Sequence, residues 1–121
     1  MTKSSRTRRA RAARKPMDAK GIADVMAMLL LLTAIMHAWT GATASASVER
    51  LPMLAFAVLF AVSAFLVRNG RTGIMVAMIF PAMGLALGIP HVLRGGAVSL
   101  LTPVMFAIDV ALLLLGIVWL R

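Results

Sequence analysis

The stretch VSLLTPVMFAIDVALLLLGIVWL, Val98 to Leu120, runs for more than twenty residues with one charged side chain, Asp109. An α-helix rises about 1.5 Å per residue, so about 20 apolar residues cover the roughly 30 Å of a bilayer's hydrocarbon. Three more apolar stretches precede it, at about 22–42, 48–67 and 73–93. None alternates apolar with polar residues as a half-lipid-exposed strand would. In lipid the backbone must satisfy its own hydrogen bonds within the segment, so each stretch is expected to be helical. The expected fold is all-α: a polytopic membrane protein with a bundle of four transmembrane helices.

Composition points the same way. Hydrophobic residues make up 61% of the 121-residue chain and charged residues 14%, where soluble proteins carry roughly 45–50% and about 25%. From residue 25 onward the only charges are Glu49, Arg50, Arg68, Arg71, Arg94, Asp109 and Arg121. These cannot clothe a water-facing surface. With no cysteine, the chain has no disulfide framework, no thiolate nucleophile and no Cys-ligated metal.

Two parts are expected, a basic tail over 1–20 and a transmembrane domain over 21–121. The tail holds Lys3, Arg6, Arg8, Arg9, Arg11, Arg14, Lys15 and Lys20 with the single acid Asp18, too little apolar surface to offset the entropy of ordering it. Pro16 argues against a helix running unbroken from tail to membrane. Between the stretches lie Gly41-Ala-Thr-Ala-Ser-Ala-Ser47, Arg68-Asn-Gly-Arg-Thr72 and Arg94-Gly-Gly96, all turn-forming. Pro52 and Pro103 are expected in first turns, where a missing N–H costs little.

With both termini inside, eleven basic residues face the cytoplasm, and Arg50 and Arg94 face outward. This positive-inside bias sets an N-in, C-in topology and suits a bacterial inner membrane. Trp39 and Trp119 fall near opposite interfaces, the level that indole prefers. The first stretch also resembles a secretory signal, with a basic lead and Ala42-x-Ala44 or Ala44-x-Ala46 as cleavage sites. Its apolar core is longer than a signal needs, which favours retention.

Few side chains offer chemistry. Asp109 stands near the midplane, where a carboxylate costs on the order of 3 kcal/mol, and is read either as a protonatable site or as a helix-pinning carboxyl. Its own helix offers only Met105 and Leu112 at neighbouring turns, so any partner must come from another helix. His37 and His91 lie at similar depth in the outer leaflet on different helices, a pair that could hold haem, a metal ion or a quinone. Asp24 is expected at a helix N-terminus, favoured by the dipole and paired with Lys20. Gly84-Leu-Ala-Leu-Gly88, bracketed by Pro81 and Pro90, is a small-xxx-small motif for close packing on a helix expected to kink; Ala57 and Ala61 form a lesser one, as do Ala107 and Ala111.

The five residues His37-Ala-Trp-Thr-Gly41 resemble the His-Ala-Trp-x-Gly stretch of the small membrane-anchor subunits of succinate dehydrogenase. That resemblance implies haem b ligation by His37. The family also carries an Asp-Tyr pair at its quinone site, and usually three spans with the histidine in a later one. This chain has no tyrosine, and membership is not inferred from five residues.

No phosphate-binding loop, no His-x-x-x-His metal pair and no serine placed beside a histidine or acid occurs, so no catalytic residue and no metal site is expected. The leading expectation is a non-enzymatic accessory, assembly or scaffold subunit of a membrane complex, partnered by another membrane protein or by itself. A second is a small proton-coupled transporter or channel acting as a homo-oligomer through Asp109. A third is a haem- or quinone-binding anchor using His37 and His91. For the tail, with no aromatics to stack on bases, anionic lipid headgroups are the expected contact of Arg6, Arg8, Arg9, Arg11, Arg14 and Lys15, in preference to nucleic acid.

Overall fold

Four helices overlie the four apolar stretches: α1, Ala19–Thr43; α2, Ser47–Leu66; α3, Arg71–Leu93; and α4, Leu101–Leu120. The computed structural model describes residues 18–44, 47–95 and 100–121, with the side chains of 47–49 left out. The basic residues Arg6 to Lys15, Pro16 and Ala46 lie outside the described residues. At about 1.5 Å per residue, the 25 residues of α1, 23 of α3 and 20 of α4 are each long and apolar enough to cross a membrane. The apolar portion of α2, Arg50–Leu66, is shorter.

The local chemistry explains the helix ends. Asp18 caps α1, its Oδ1 accepting the Gly21 N–H at 2.8 Å, which satisfies one of the donors a helix start leaves bare. Asp24, expected to meet the helix dipole and pair with Lys20, sits nearly two turns in and pairs at 3.5 Å with Arg68 beyond the end of the neighbouring α2. Gly70 turns the chain from α2 into α3 at φ 78°, a left-handed conformation that other residues adopt only with strain. Just beyond, a Cβ on Gly73 would collide with the Leu66 carbonyl oxygen, so this joint is built on glycine twice. Pro103 lies in the first turn of α4, as expected. Pro52 falls one turn deeper than expected, because α2 begins at Ser47.

Each helix packs against the next in sequence, and α1 also packs against α4, closing a ring of neighbours. All adjacent pairs run antiparallel. Asp24 meets Arg68 at one end, while Gly41 meets Met53 and Leu54 at the other. Gly84 lies opposite Asp109 and Gly116 opposite Met78. The Trp119 indole N–H donates to the Ala19 carbonyl at 3.1 Å, tying the end of α4 to the start of α1. The core is formed by Met26 and Leu30 of α1, Phe60 of α2, Ile74 and Ala77 of α3, and Met105 and Leu112 of α4.

Outside the core the helices stay apolar. Phe65, Leu93, Met28 and Ile35 are about two-thirds exposed or more, and so many large apolar side chains facing outward exceed what a water-facing surface tolerates. These helices are those of a membrane protein.

A buried carboxyl against a glycine notch

Asp109 is the most enclosed charged-type side chain among the described residues, 2% exposed. Its position follows from the α4 sequence. Met105, Ile108 and Leu112, on the same face of the helix, are buried with it, so the seam that takes their bulk takes the carboxyl too. Across the seam stands Gly84 of α3. A Cβ placed on Gly84 would lie 2.9 Å from Asp109 Oδ2, 3.7 Å from Cγ and 3.9 Å from Oδ1. The absent side chain is therefore the space the carboxyl uses, and the group rests against the α3 backbone. Its Oδ1 is buried without a hydrogen-bond partner, an arrangement costing about 1–3 kcal/mol.

The other glycines of the seam act in the same manner. A Cβ on Gly88 would approach the Phe106 ring to 2.6 Å, and one on Gly116 would strike the Met78 side chain. Gly84 and Gly88 thus both face α4. Ala57 is buried and Ala61 packs against the core from α2. Pro81 is buried within α3 and Pro90 lies near its end. Each proline lacks an N–H, so the carbonyls of Ala77 and Ala86 have no donor four residues on.

His37 has a different environment. It is 6% exposed, and its Nδ1 lies 2.7 Å from the Thr33 carbonyl oxygen and 3.2 Å from Thr33 Oγ1. A carbonyl can only accept, so Nδ1 carries the hydrogen and Nε2 the lone pair in the neutral ring. The ring packs at 4.9 Å from Phe60 and 5.9 Å from Phe56, centroid to centroid. His37 is turned toward α2, while His91 is exposed on α3, and no contact joins them among the described residues. No group of three or more His, Cys, Asp or Glu side chains arranged to hold a metal occurs among the described residues.

The remaining buried polar group among the described residues is Ser63, whose hydroxyl donates to the Leu59 carbonyl one turn back at 2.8 Å. Thr33, His37 and Ser63 thus find partners within their own helices; Asp109 Oδ1 does not. Sequence reasoning located Asp109 and the Gly84/Gly88 face. It missed the Asp18 cap, for which the Asp-x-x-Gly spacing before an apolar run was an available signal. It also missed the notches at Gly73 and Gly116, which carry no local signature; Gly41, one turn past His37 on a small and polar face fit to meet another helix, does lie against Leu54 and Met53 of α2. Comparison with protein-family models, with curated proteins and with solved structures finds no match for this chain.

Proposed function

We propose that this protein is a small proton-coupled membrane transporter or channel subunit, with Asp109 as its proton-binding group. The observation that carries this reading is the buried carboxyl whose Oδ1 lacks a partner. A carboxyl serving only to pin helices would hydrogen-bond across the seam, because that bond is what holds the helices. One left unpaired at depth lowers stability, and intramembrane acids of that kind mark proton relays and ion pathways. The neighbouring helix suits movement, since the prolines of α3 remove two of its main-chain hydrogen bonds.

The proposed setting is a four-span bundle with both ends of the described chain on the cytoplasmic side of a bacterial inner membrane. Arg68, Arg71 and Arg121 gather at the end where α1 begins, as the positive-inside rule requires of a cytoplasmic face. Anionic headgroups are the contact proposed for that face and for the tail. α2 completes the fourth crossing with Ser47 to Glu49 included.

The decisive measurement is proton flux in proteoliposomes containing the full chain, followed with an entrapped pH-sensitive dye. Asp109→Asn should abolish proton-dependent flux. Unchanged flux in that variant would remove Asp109 from the mechanism.

A second reading, an accessory or scaffold subunit without enzymatic activity, is favoured by α3, which leaves Ala82 and Ala86 exposed one turn apart. Small residues so placed let another helix approach closely. Purification in a gentle detergent would then recover a partner membrane protein at fixed stoichiometry, and recovery of a homo-oligomer alone would count against it. The haem or quinone reading draws nothing from the His37 and His91 positions; a Soret band in the purified protein would revive it.

A further inference from the structure

We infer that the Asp109 site takes a proton and excludes metal cations, and that Gly84 is the position that sets this selectivity. The inference rests on the reading of Asp109 as the proton-binding group and adds what keeps other cations out.

The coordination chemistry separates the candidates. A dehydrated metal cation demands several oxygen ligands, as many as 6–8 for Ca²⁺ and a near-octahedral set for Mg²⁺. A proton demands one. The carboxyl of Asp109 is flanked on its own helix by Met105, Ile108 and Leu112, none of which offers oxygen from its side chain. Across the seam, Gly84 contributes no side chain, and the carboxyl occupies the room a methyl would fill. Ser63 and His37 are engaged with carbonyls of their own helices. A proton also suits an apolar seam, because a neutral acid costs far less to bury than a carboxylate and needs no second charged group. The space is small as well: a single methyl on Gly84 would stand 2.9 Å from Oδ2, so the seam holds a carboxyl and no hydrated ion.

The helices packed against α4 are α1 and α3. α1 brings Asp24, which pairs with Arg68 in an exposed position, His37, which is turned toward α2, and Lys20, which is exposed. α3 brings Arg71 and His91, both exposed, followed by Arg94. No ion pair links any of them to Asp109 among the described residues. The occupancy of the site therefore follows the proton alone.

Dicyclohexylcarbodiimide tests this directly, since it is an apolar reagent that reacts with neutral acids. The carboxyl adds across one C=N bond: an Asp109 oxygen bonds to the central carbon, the acid proton passes to nitrogen, and nothing leaves. Full-length protein in detergent micelles would be labelled over a range of pH, and the adduct located by peptide mass with Asp109→Asn as the blank. The expected result is labelling of Asp109 that falls as pH rises. At fixed pH it should be the same in sodium, potassium or magnesium chloride as in choline chloride of equal ionic strength. Gly84→Ala should slow labelling several-fold while helix content and elution volume stay unchanged.

Protection by any of the metal salts would overturn the proton assignment, and so would a carboxyl that fails to label at every pH. A folded Gly84→Ala protein that labels like the wild type would overturn the role of Gly84. If that variant does not fold, Gly84→Ser supplies the same comparison with a side chain that can donate to the carboxyl, and the salt series on wild-type protein decides the ion by itself. Failure here is separable from failure of the transport reading. Salt-independent labelling with flux intact in Asp109→Asn keeps the proton site and ends transport through it, whereas sodium protection with flux lost keeps transport and changes the ion.

Discussion

The α1–α2 pair, notched by glycine only at Gly41, packs mainly through large side chains, whereas the α3–α4 pair is notched at Gly84, Gly88 and Gly116. Between α1 and α2, large side chains interlock: Met26, Leu30 and Phe60 are fully enclosed, and the His37 ring lies against Phe56 and Phe60. The polar groups of that half are answered locally by carbonyls one turn away. Between α3 and α4, glycines admit single protruding groups, Asp109 at Gly84, Phe106 at Gly88 and Met78 at Gly116, and the one carboxyl is not answered. Half of the apolar window of α1 is buried, against 22% for α3 and 28% for α4. The contrast teaches that one half is organised to stay closed and the other carries the group whose chemistry is unfinished. In lipid this difference matters more than apolar area, because tails solvate leucine as well as a core does and only fit and hydrogen bonding distinguish one helix pairing from another.

Breaking the interlocked half should cost most. Phe60→Ala removes a fully buried ring that touches His37, with an expected loss of about 3 kcal/mol, measured by unfolding in mixed micelles. The notched half should give way more cheaply. Gly88→Ala pushes a methyl toward the Phe106 ring and should destabilise by about 1–2 kcal/mol; an equal loss at both sites would erase the distinction between the halves. Polar replacements sharpen it through their sign. His37→Ala discards a satisfied, packed ring and should lower the thermal midpoint. Asp109→Asn replaces a buried, unpaired carboxyl by a neutral group of the same shape and should leave stability unchanged or raise it, by up to about 1 kcal/mol. The smallest effect is expected at the end of the bundle. Arg68→Gln breaks an exposed ion pair with Asp24 and should change stability by no more than about 0.5 kcal/mol, less still in high salt.

Much of this architecture is legible before any coordinates. Apolar run length places four helices, and the punctuating Arg68-Asn-Gly-Arg-Thr72 places the joint that Gly70 turns. The spacing of Gly84 and Gly88 puts both on one helix face, and a lone acid in an apolar span marks Asp109 for burial. What stayed hidden has a common cause: a helix apolar on every side does not say which side meets which neighbour. His37 shares a leaflet with His91 by depth, yet depth carries no angle, and the ring faces Phe56 and Phe60 of α2. Asp24 had a partner by sequence spacing in Lys20 and found Arg68 across the bundle, because antiparallel packing brings the end of one helix beside the start of another. The notch at Gly116 depends on which side chain arrives from the opposite helix, information that no single segment holds.

The Trp119–Ala19 hydrogen bond spans one hundred positions of sequence, and this bears on biosynthesis. α1 is made before α4 and reaches its second neighbour only when α4 has been synthesised. Until then the flank of α1 that α4 will cover is open to lipid and to every other nascent helix nearby. The ring of helices therefore closes only once α4 has been made, and a chain interrupted before α4 would leave that flank of α1 uncovered.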